Sequence, residues 1–277
     1  MRCGFHLASL PHHNIASLAV PLRDMNYQVA AVRLVASTFL DEAGYSVWMK
    51  QLASLSQAGL QIVLDADGLF MADPWHALSP QLAKEDENSD RESTLIKAID
   101  CAAKIQCGLI TFSVGSGDAD EDAEAILKRV ALSIIRLMHR ASSADVTIAI
   151  KPVLGSAIET ASQFRRLLQW LPESVASDPR LGWAADVAVM ARRGEMPIGD
   201  RLERDSDRLV CVYLSDVSHG FPGDRRFGEG DLSIERIAKA IHELPFAGPV
   251  IFRIEGHGEA GLVIAKEAIQ LASCRHR

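Results

Sequence analysis

Residues 147–153 (TIAIKPV), 181–189 (LGWAADVAV), 209–220 (LVCVYLSDVSHG) and 249–259 (PVIFRIEGHGE) share one construction. Each is a short apolar run that ends in a polar or charged side chain: Lys151, Asp186, Tyr213 with Asp216, and Glu255. Runs that are apolar without alternation suit parallel strands covered on both faces. A parallel barrel collects the C-terminal ends of its strands at one mouth, where active sites are built. These side chains are therefore expected to meet although they are far apart in the chain.

Working outward, the same strand–helix rhythm covers the whole sequence. The candidate strands are residues 2–7, 28–34, 61–65, 108–114, 146–151, 181–186, 209–214 and 250–255. Between them lie helical patterns. VWMKQLASLSQAG (47–59) sets Trp48, Leu52 and Leu55 on one stripe and stops at Gly59, a C-terminal cap. DEDAEAILKRVALSIIRLMHRA (120–141) opens with acids and closes with His139 and Arg140, matching the helix dipole at both ends. DLSIERIAKAIHEL (231–244) carries Ile234, Ile237 and Ile241 at helical spacing. Eight strands alternating with helices predict an α/β fold, a single (β/α)8 TIM barrel over residues 1–277. An open doubly wound sheet is the runner-up, but no GxGxxG follows the first strand. Residues 70–91 are long and polar and read as a connection after the third strand, a solvated loop or a lid.

Bulk composition agrees with a large soluble domain. The chain has 277 residues, 48% hydrophobic, enough for a sizeable core. Its formal net charge of −7 argues against a nucleic-acid surface, which needs a basic face. No apolar segment approaches the roughly 20 residues that span a bilayer, and the N-terminus lacks the apolar stretch of a signal peptide. The five cysteines show no CxxC pair, which points to a reduced, cytoplasmic setting.

The common catalytic signatures are absent: no GxSxG, Walker A or HExxH occurs. VLDADGLF spells the start of a calcium loop at Asp65 and Asp67, but the position for the closing Glu is His76, so that reading is discarded. Asp65 is left as a mouth-facing acid at the end of the third strand. His6, His219 and His257 lie near strand ends, where an imidazole can exchange protons near neutral pH. Arg225 and Arg226, in PGDRRFGEG, suit a phosphate or carboxylate partner. For each of these the alternative is a solvated surface group.

The C-terminal half, from about Val146 to Glu259, resembles the xylose isomerase-like TIM barrels, the sugar phosphate isomerase/epimerase group, most specifically over residues 209–256. The matching elements are Tyr213-Leu214-Ser215-Asp216 for a strand ending "HxxD", Gly228-Glu229-Gly230 for "GxG", Gly248-Pro249-Val250 for "GxV", and Glu255 for the last strand's Glu. The resemblance implies sugar isomerase or epimerase chemistry on a small carbohydrate or polyhydroxy compound. It also implies a divalent metal held by Glu, Asp, His and Glu at the ends of strands five to eight. Carried over, those ligands fall on Lys151, Asp186, Tyr213 and Glu255, so only Asp186 and Glu255 remain as metal ligands. An ammonium repels a divalent ion, and a neutral phenol is a poor substitute for imidazole. The expectation is that no metal cofactor (Mg, Mn or Zn) is needed and that the Lys151 ammonium occupies the metal's place, paired with Asp186 and Glu255. Glu255, Lys151 and Asp186 are then the candidate catalytic residues. Tyr213, Asp216, His219, Arg225, His257 and His6 are the candidate substrate-binding residues. A metal-independent lyase using Lys151 and a non-catalytic ligand-binding descendant are the alternatives. The expected partner is a small carbohydrate-like molecule, with no nucleic acid and no membrane; family members often assemble, which leaves a homo-oligomer open.

Overall fold

The computed structural model describes residues 1–35, 42–67 and 80–273. Among them, β1 (Arg2–His6), β2 (Val29–Arg33), β3 (Gln61–Asp65), β4 (Leu109–Phe112), β5 (Thr147–Ile150), β6 (Leu181–Asp186), β7 (Leu209–Leu214) and β8 (Pro249–Phe252) follow one another in a closed barrel. Neighbouring strands run parallel, including β1 beside β8, where the barrel closes. The fold is thus the (β/α)8 barrel expected from the alternation. The chain forms two compact units, Met1–Val32 with Gln51–Ile62 and Ala185–Arg277, and Arg33–Lys50 with Val63–Ala184.

In the first unit β1 lies between β2 and β8, with Gly4 level with Val29 and Ile251. Phe5 packs against Tyr27 at 5.5 Å between ring centroids, and the Tyr27 hydroxyl donates to the Ala265 carbonyl at 2.7 Å. That contact ties the strand layer to α10 (Leu262–Ser273). Helix α9 (Ile234–Glu243) buries Ile234, Ile237, Ala238 and Ile241 on one stripe. Each buried isoleucine stabilises by roughly 1.5–3 kcal/mol. The stripe is the one read from the sequence.

In the second unit α3 (Asn88–Lys104) and α4 (Ala123–Ala144) pack side by side. Asp122 caps α4 by accepting from the Ala125 N–H at 3.1 Å, and Asp145 closes it in the left-handed conformation at φ 53°. The helix runs past His139 and Arg140 to Ala144, so its last turn carries no basic residue. The expected dipole match at that end is not realised. Gly59, at φ 86°, does follow the end of α2 (Glu42–Gln57) as read.

Several elements differ from the sequence reading. Asn88 to Arg91, read as loop, form the first turn of α3, because Glu87 and Asn88 fold back on the chain before it. Glu87 accepts from the Gln81 N–H at 2.8 Å, and the Asn88 amide donates to the Leu82 carbonyl at 2.5 Å. Arg91 then points inward and is buried. Residues 70–79 of that segment, His76 among them, lie outside the described residues, as does Cys274. The short helices α1 (Ile15–Asp24), α7 (Val187–Arg192) and α8 (Ile198–Arg204) are not among the elements expected from the sequence. Strand β8 ends at Phe252, three residues before the expected Glu255.

Candidate active site

In the second unit, the strand register places Asp65, Thr111, Ala149 and Gly182 in one row across β3 to β6. One two-residue step onward come Asp67, Ser113, Lys151 and Ala184, and alternate residues share a face. Lys151 reaches back across this step. Its Nζ lies 2.7 Å from both oxygens of Asp65 and 2.9 Å from Asp67 Oδ2. Three carboxylate oxygens meet a group with three N–H donors. All three side chains are buried: Asp65 0%, Lys151 1% and Asp67 7% exposed. Thr111 Oγ1 donates to Asp65 at 3.1 Å, and Arg33 at the end of β2 lies 3.9 Å from Asp67. Arg91 donates to the Ala66 carbonyl. Burial pulls the Arg91 guanidinium down to about 10, against the opposing pull of Asp67 and Asp65.

The first unit holds a second cluster. Asp186 ends β6 and caps α7 by accepting from the Ala188 and Val189 N–H groups at 3.0 and 3.2 Å. Its carboxylate is thus buried at the strand end and caps the helix that follows. Its carboxylate also takes Arg253, with NH1 at 2.7 Å from Oδ2 and NH2 at 3.4 Å from Oδ1. The Arg253 Nε lies 3.5 Å from Asp224 Oδ2. The same oxygen accepts from the Glu255 N–H at 3.0 Å, and the Asp224 carbonyl meets His257 Nε2 at 3.0 Å. Burial works against the charge on Arg253, but Asp186, Asp224 and Glu255 outweigh it and raise its pKa well above the ordinary range. Tyr213 is fully buried, with its ring 6.0 Å from the Arg253 guanidinium and edge-on to His6 at 6.0 Å.

The strand ends therefore carry charge as expected, with different partners. The sequence reading gave Lys151 to Asp186 and Glu255; Lys151 is held by Asp65 and Asp67, and the cation on Asp186 is Arg253. Lys151 reaches Asp65 and Asp67 because β3 and β5 flank β4, and for Asp186 the physical reason lies in the length of β8. A strand of four residues ends at Phe252, so the next side chain on the alternating face is Arg253, and Glu255 lies beyond it. The preceding residues PVIF gave a signal, since they are long enough for a barrel strand. Asp216 is buried, and its carboxylate accepts from the N–H groups of Gly228, Gly230 and Leu232 at 2.9, 3.0 and 3.3 Å. It shapes the loop after β7. A Cβ on Gly230 would collide with that carboxylate, which is why glycine stands there. Arg225 stacks on Phe221 with 4.1 Å to the ring centroid. His219 is exposed, and its N–H donates to Asp231 at 2.6 Å.

The donors at these strand ends do not fit a divalent ion. Lys151 is an ammonium meeting three carboxylate oxygens, and both oxygens of Asp186 are engaged by a guanidinium and two backbone N–H groups. Among the described residues, no three His, Cys, Asp or Glu side chains are grouped to hold a metal. Hard ions want several free oxygen ligands, which these pairings do not supply.

A (β/α)8 barrel with charged side chains at its strand ends defines the class. Residues 39–274 match the sequence profile of the xylose isomerase-like TIM barrels, and the chain belongs to that family. No curated protein matches the sequence. Among solved structures it resembles the 3-keto-D-glucoside 4-epimerase of E. coli in its apo form, at 15% identity and TM-score 0.75, covering 99% of this chain and 100% of that one. A D-psicose 3-epimerase crystallised in the presence of D-fructose gives 13% identity and TM-score 0.73, covering 98% and 96%. A probable 3-DHS dehydratase from Bacillus anthracis gives 12% and 0.73, covering 98% of each chain. At these identities the likeness concerns the fold. Among the described residues no helix is long and apolar enough to cross a membrane, and no disulfide joins the cysteines Cys3, Cys101, Cys107 and Cys211.

Proposed function

We propose that this chain, taken as one barrel domain over residues 1–277, acts on a small carbohydrate or polyhydroxy compound as an isomerase or epimerase, without a divalent metal. The observation that carries the reading is the Arg253–Asp186 pair, which sets a guanidinium at a strand end where the resemblance calls for a metal. A buried, fixed cation stabilises the oxyanion of an enediolate by the same electrostatics that a metal supplies. Glu255 is the proposed base at the carbon beside the carbonyl. His6, His257 and Tyr213 are the proposed substrate contacts, with Arg225 on the loop after β7. Asp186 orients Arg253. Lys151 is proposed as an electrostatic group, because its pairing with Asp65 and Asp67 holds the nitrogen as an ammonium and disfavours a Schiff base or a lyase step through it.

A second reading, a ligand-binding descendant without catalysis, is favoured by one observation: the charges at both clusters are largely matched internally. Solvent exchange separates the two. Incubation in D₂O with a panel of ketoses, followed by NMR, should show deuterium entering the carbon next to the carbonyl, and Glu255→Gln should abolish it. Saturable sugar binding with no exchange in wild type supports the descendant instead.

A further inference from the structure

Asp224 has the geometry of a bound ligand. Its Oδ2 is the meeting point of two donors from the residues that follow β8: the Glu255 N–H at 3.0 Å and the Arg253 Nε at 3.5 Å. The guanidinium presents two edges. Its end, NH1 and NH2, is taken by Asp186. Its side, Nε, faces Asp224, yet this buried atom makes no hydrogen bond among the described residues. At 3.5 Å the contact is an ion pair rather than a formed hydrogen bond. Asp224 belongs to the loop after β7, which is anchored through Asp216: the Arg225 N–H donates to the Asp216 carbonyl at 2.8 Å, and the Gly228 N–H to its carboxylate. The Asp224 carboxylate is held by the Glu255 N–H and the longer Arg253 contact, whereas three N–H groups of its own loop close on Asp216. It is 7% exposed, so its carboxylate fills an enclosed nook. A backbone N–H beside a fixed guanidinium edge is a prepared anion site, and here a carboxylate of the same chain takes the N–H but leaves the Nε edge without a hydrogen bond.

We propose that the Arg253 side edge and the Glu255 N–H form a subsite for the carboxylate of a ligand, and that Asp224 is its internal occupant, displaced when the ligand binds. The ligand class this selects is a sugar acid. The sugar part rests on the carbohydrate reading above; the anion subsite does not. A ligand carboxylate able to close the distance to Nε would replace the long contact with a charge-assisted hydrogen bond while keeping the Glu255 N–H bond. Displacement of Asp224 returns one carboxylate to water, which balances the charge brought in.

The test uses acetate as the smallest probe, with sodium chloride at equal ionic strength as the control. Truncating the occupant in Asp224→Ala leaves a space of carboxyl size beside the two donors it faced. Acetate should stabilise this variant saturably in thermal unfolding, with affinity about tenfold or more above wild type. The double variant Asp224→Ala/Arg253→Met should lose that response. Equal acetate responses in wild type and Asp224→Ala, or a response that survives in the double variant, overturns the subsite. If Asp224→Ala does not fold, Asp224→Asn keeps the shape and removes the charge, and its acetate affinity should also exceed wild type; no gain overturns the subsite equally. A second comparison isolates the sugar part. Gluconate should bind Asp224→Ala about tenfold tighter than acetate. Gluconate no tighter than acetate removes the sugar-acid assignment and leaves the anion subsite. Sorbitol binding with no acetate response removes the subsite and leaves the carbohydrate reading.

Discussion

Arg253 and Asp186 face each other across the ends of β8 and β6, NH1 to Oδ2 at 2.7 Å, and the same carboxylate caps the helix that follows β6. One acid thus fixes a cation and a helix start together. Both oxygens of Asp186 are engaged by this pairing and the cap.

Removing the cation should be costly. Arg253→Met leaves Asp186 buried without its counter-charge, at about 3–5 kcal/mol of stability. Arg253→Lys restores the charge without the two-pronged geometry and should recover part of it. Urea unfolding measures both, and a loss under about 1 kcal/mol would show the pair to be weakly coupled.

Lys151→Met should be as severe. It leaves Asp65 and Asp67 buried side by side, 0% and 7% exposed, with Lys151 no longer between them. The expected loss is about 3–5 kcal/mol. Replacing both acids as well, in Asp65→Asn/Asp67→Asn/Lys151→Met, should recover part of the stability lost in Lys151→Met, because the two like charges are gone while Arg33 and the buried Arg91 lose the opposite charge they faced. Failure to recover would place the lysine's contribution in packing.

Asp216→Ala should loosen the loop after β7. Three N–H groups, from Gly228, Gly230 and Leu232, lose their acceptor, each worth about 1 kcal/mol. Limited proteolysis should then cut within residues 217–231 under conditions that leave wild type intact. Gly230→Ala should give the same pattern, since its Cβ would displace the Asp216 carboxylate.

Asp224 gives a pH prediction. Burial raises its carboxyl above the usual carboxylate range; Arg253 and the Glu255 N–H oppose this, and Asp186 and Glu255 add to it. Its carbonyl also meets the His257 ring. An acid whose folded pKa lies above its unfolded value of about 3.9 holds its proton more tightly when folded. Its contribution to stability is complete below about pH 4 and is lost as pH rises through the folded value. The stability of wild type relative to Asp224→Asn should therefore fall as pH rises from about 4 and then level off. A difference that grows with pH over that interval contradicts the assignment.

Several strands were legible because they are continuous apolar runs ending at a polar residue, and β3, β6 and β7 have the bounds expected of them. Asp186 was legible for the same reason: a lone acid between LGWAA and VAVMA needs a partner. Its partner was not. Arg253 and Glu255 share the alternating face of one segment, and only the end of β8 decides which of them stands at the strand end. Asp65 was recognised as a strand-end acid, but its pairing with Lys151 depends on β3 and β5 being two strands apart with β4 between them, and side-chain reach across that distance is not encoded in any local pattern. The start of α3 was hidden because its polar residues look like loop until Glu87 and Asn88 are seen to fold back on the turns before them.

The most direct measurement is elemental analysis of the purified protein, before and after incubation with excess Mg²⁺, Mn²⁺, Zn²⁺ or Co²⁺ and desalting. Cation-paired carboxylates at the strand ends predict no stoichiometric metal and a thermal midpoint indifferent to EDTA. One metal retained per chain, released by EDTA with a drop in stability, would contradict it.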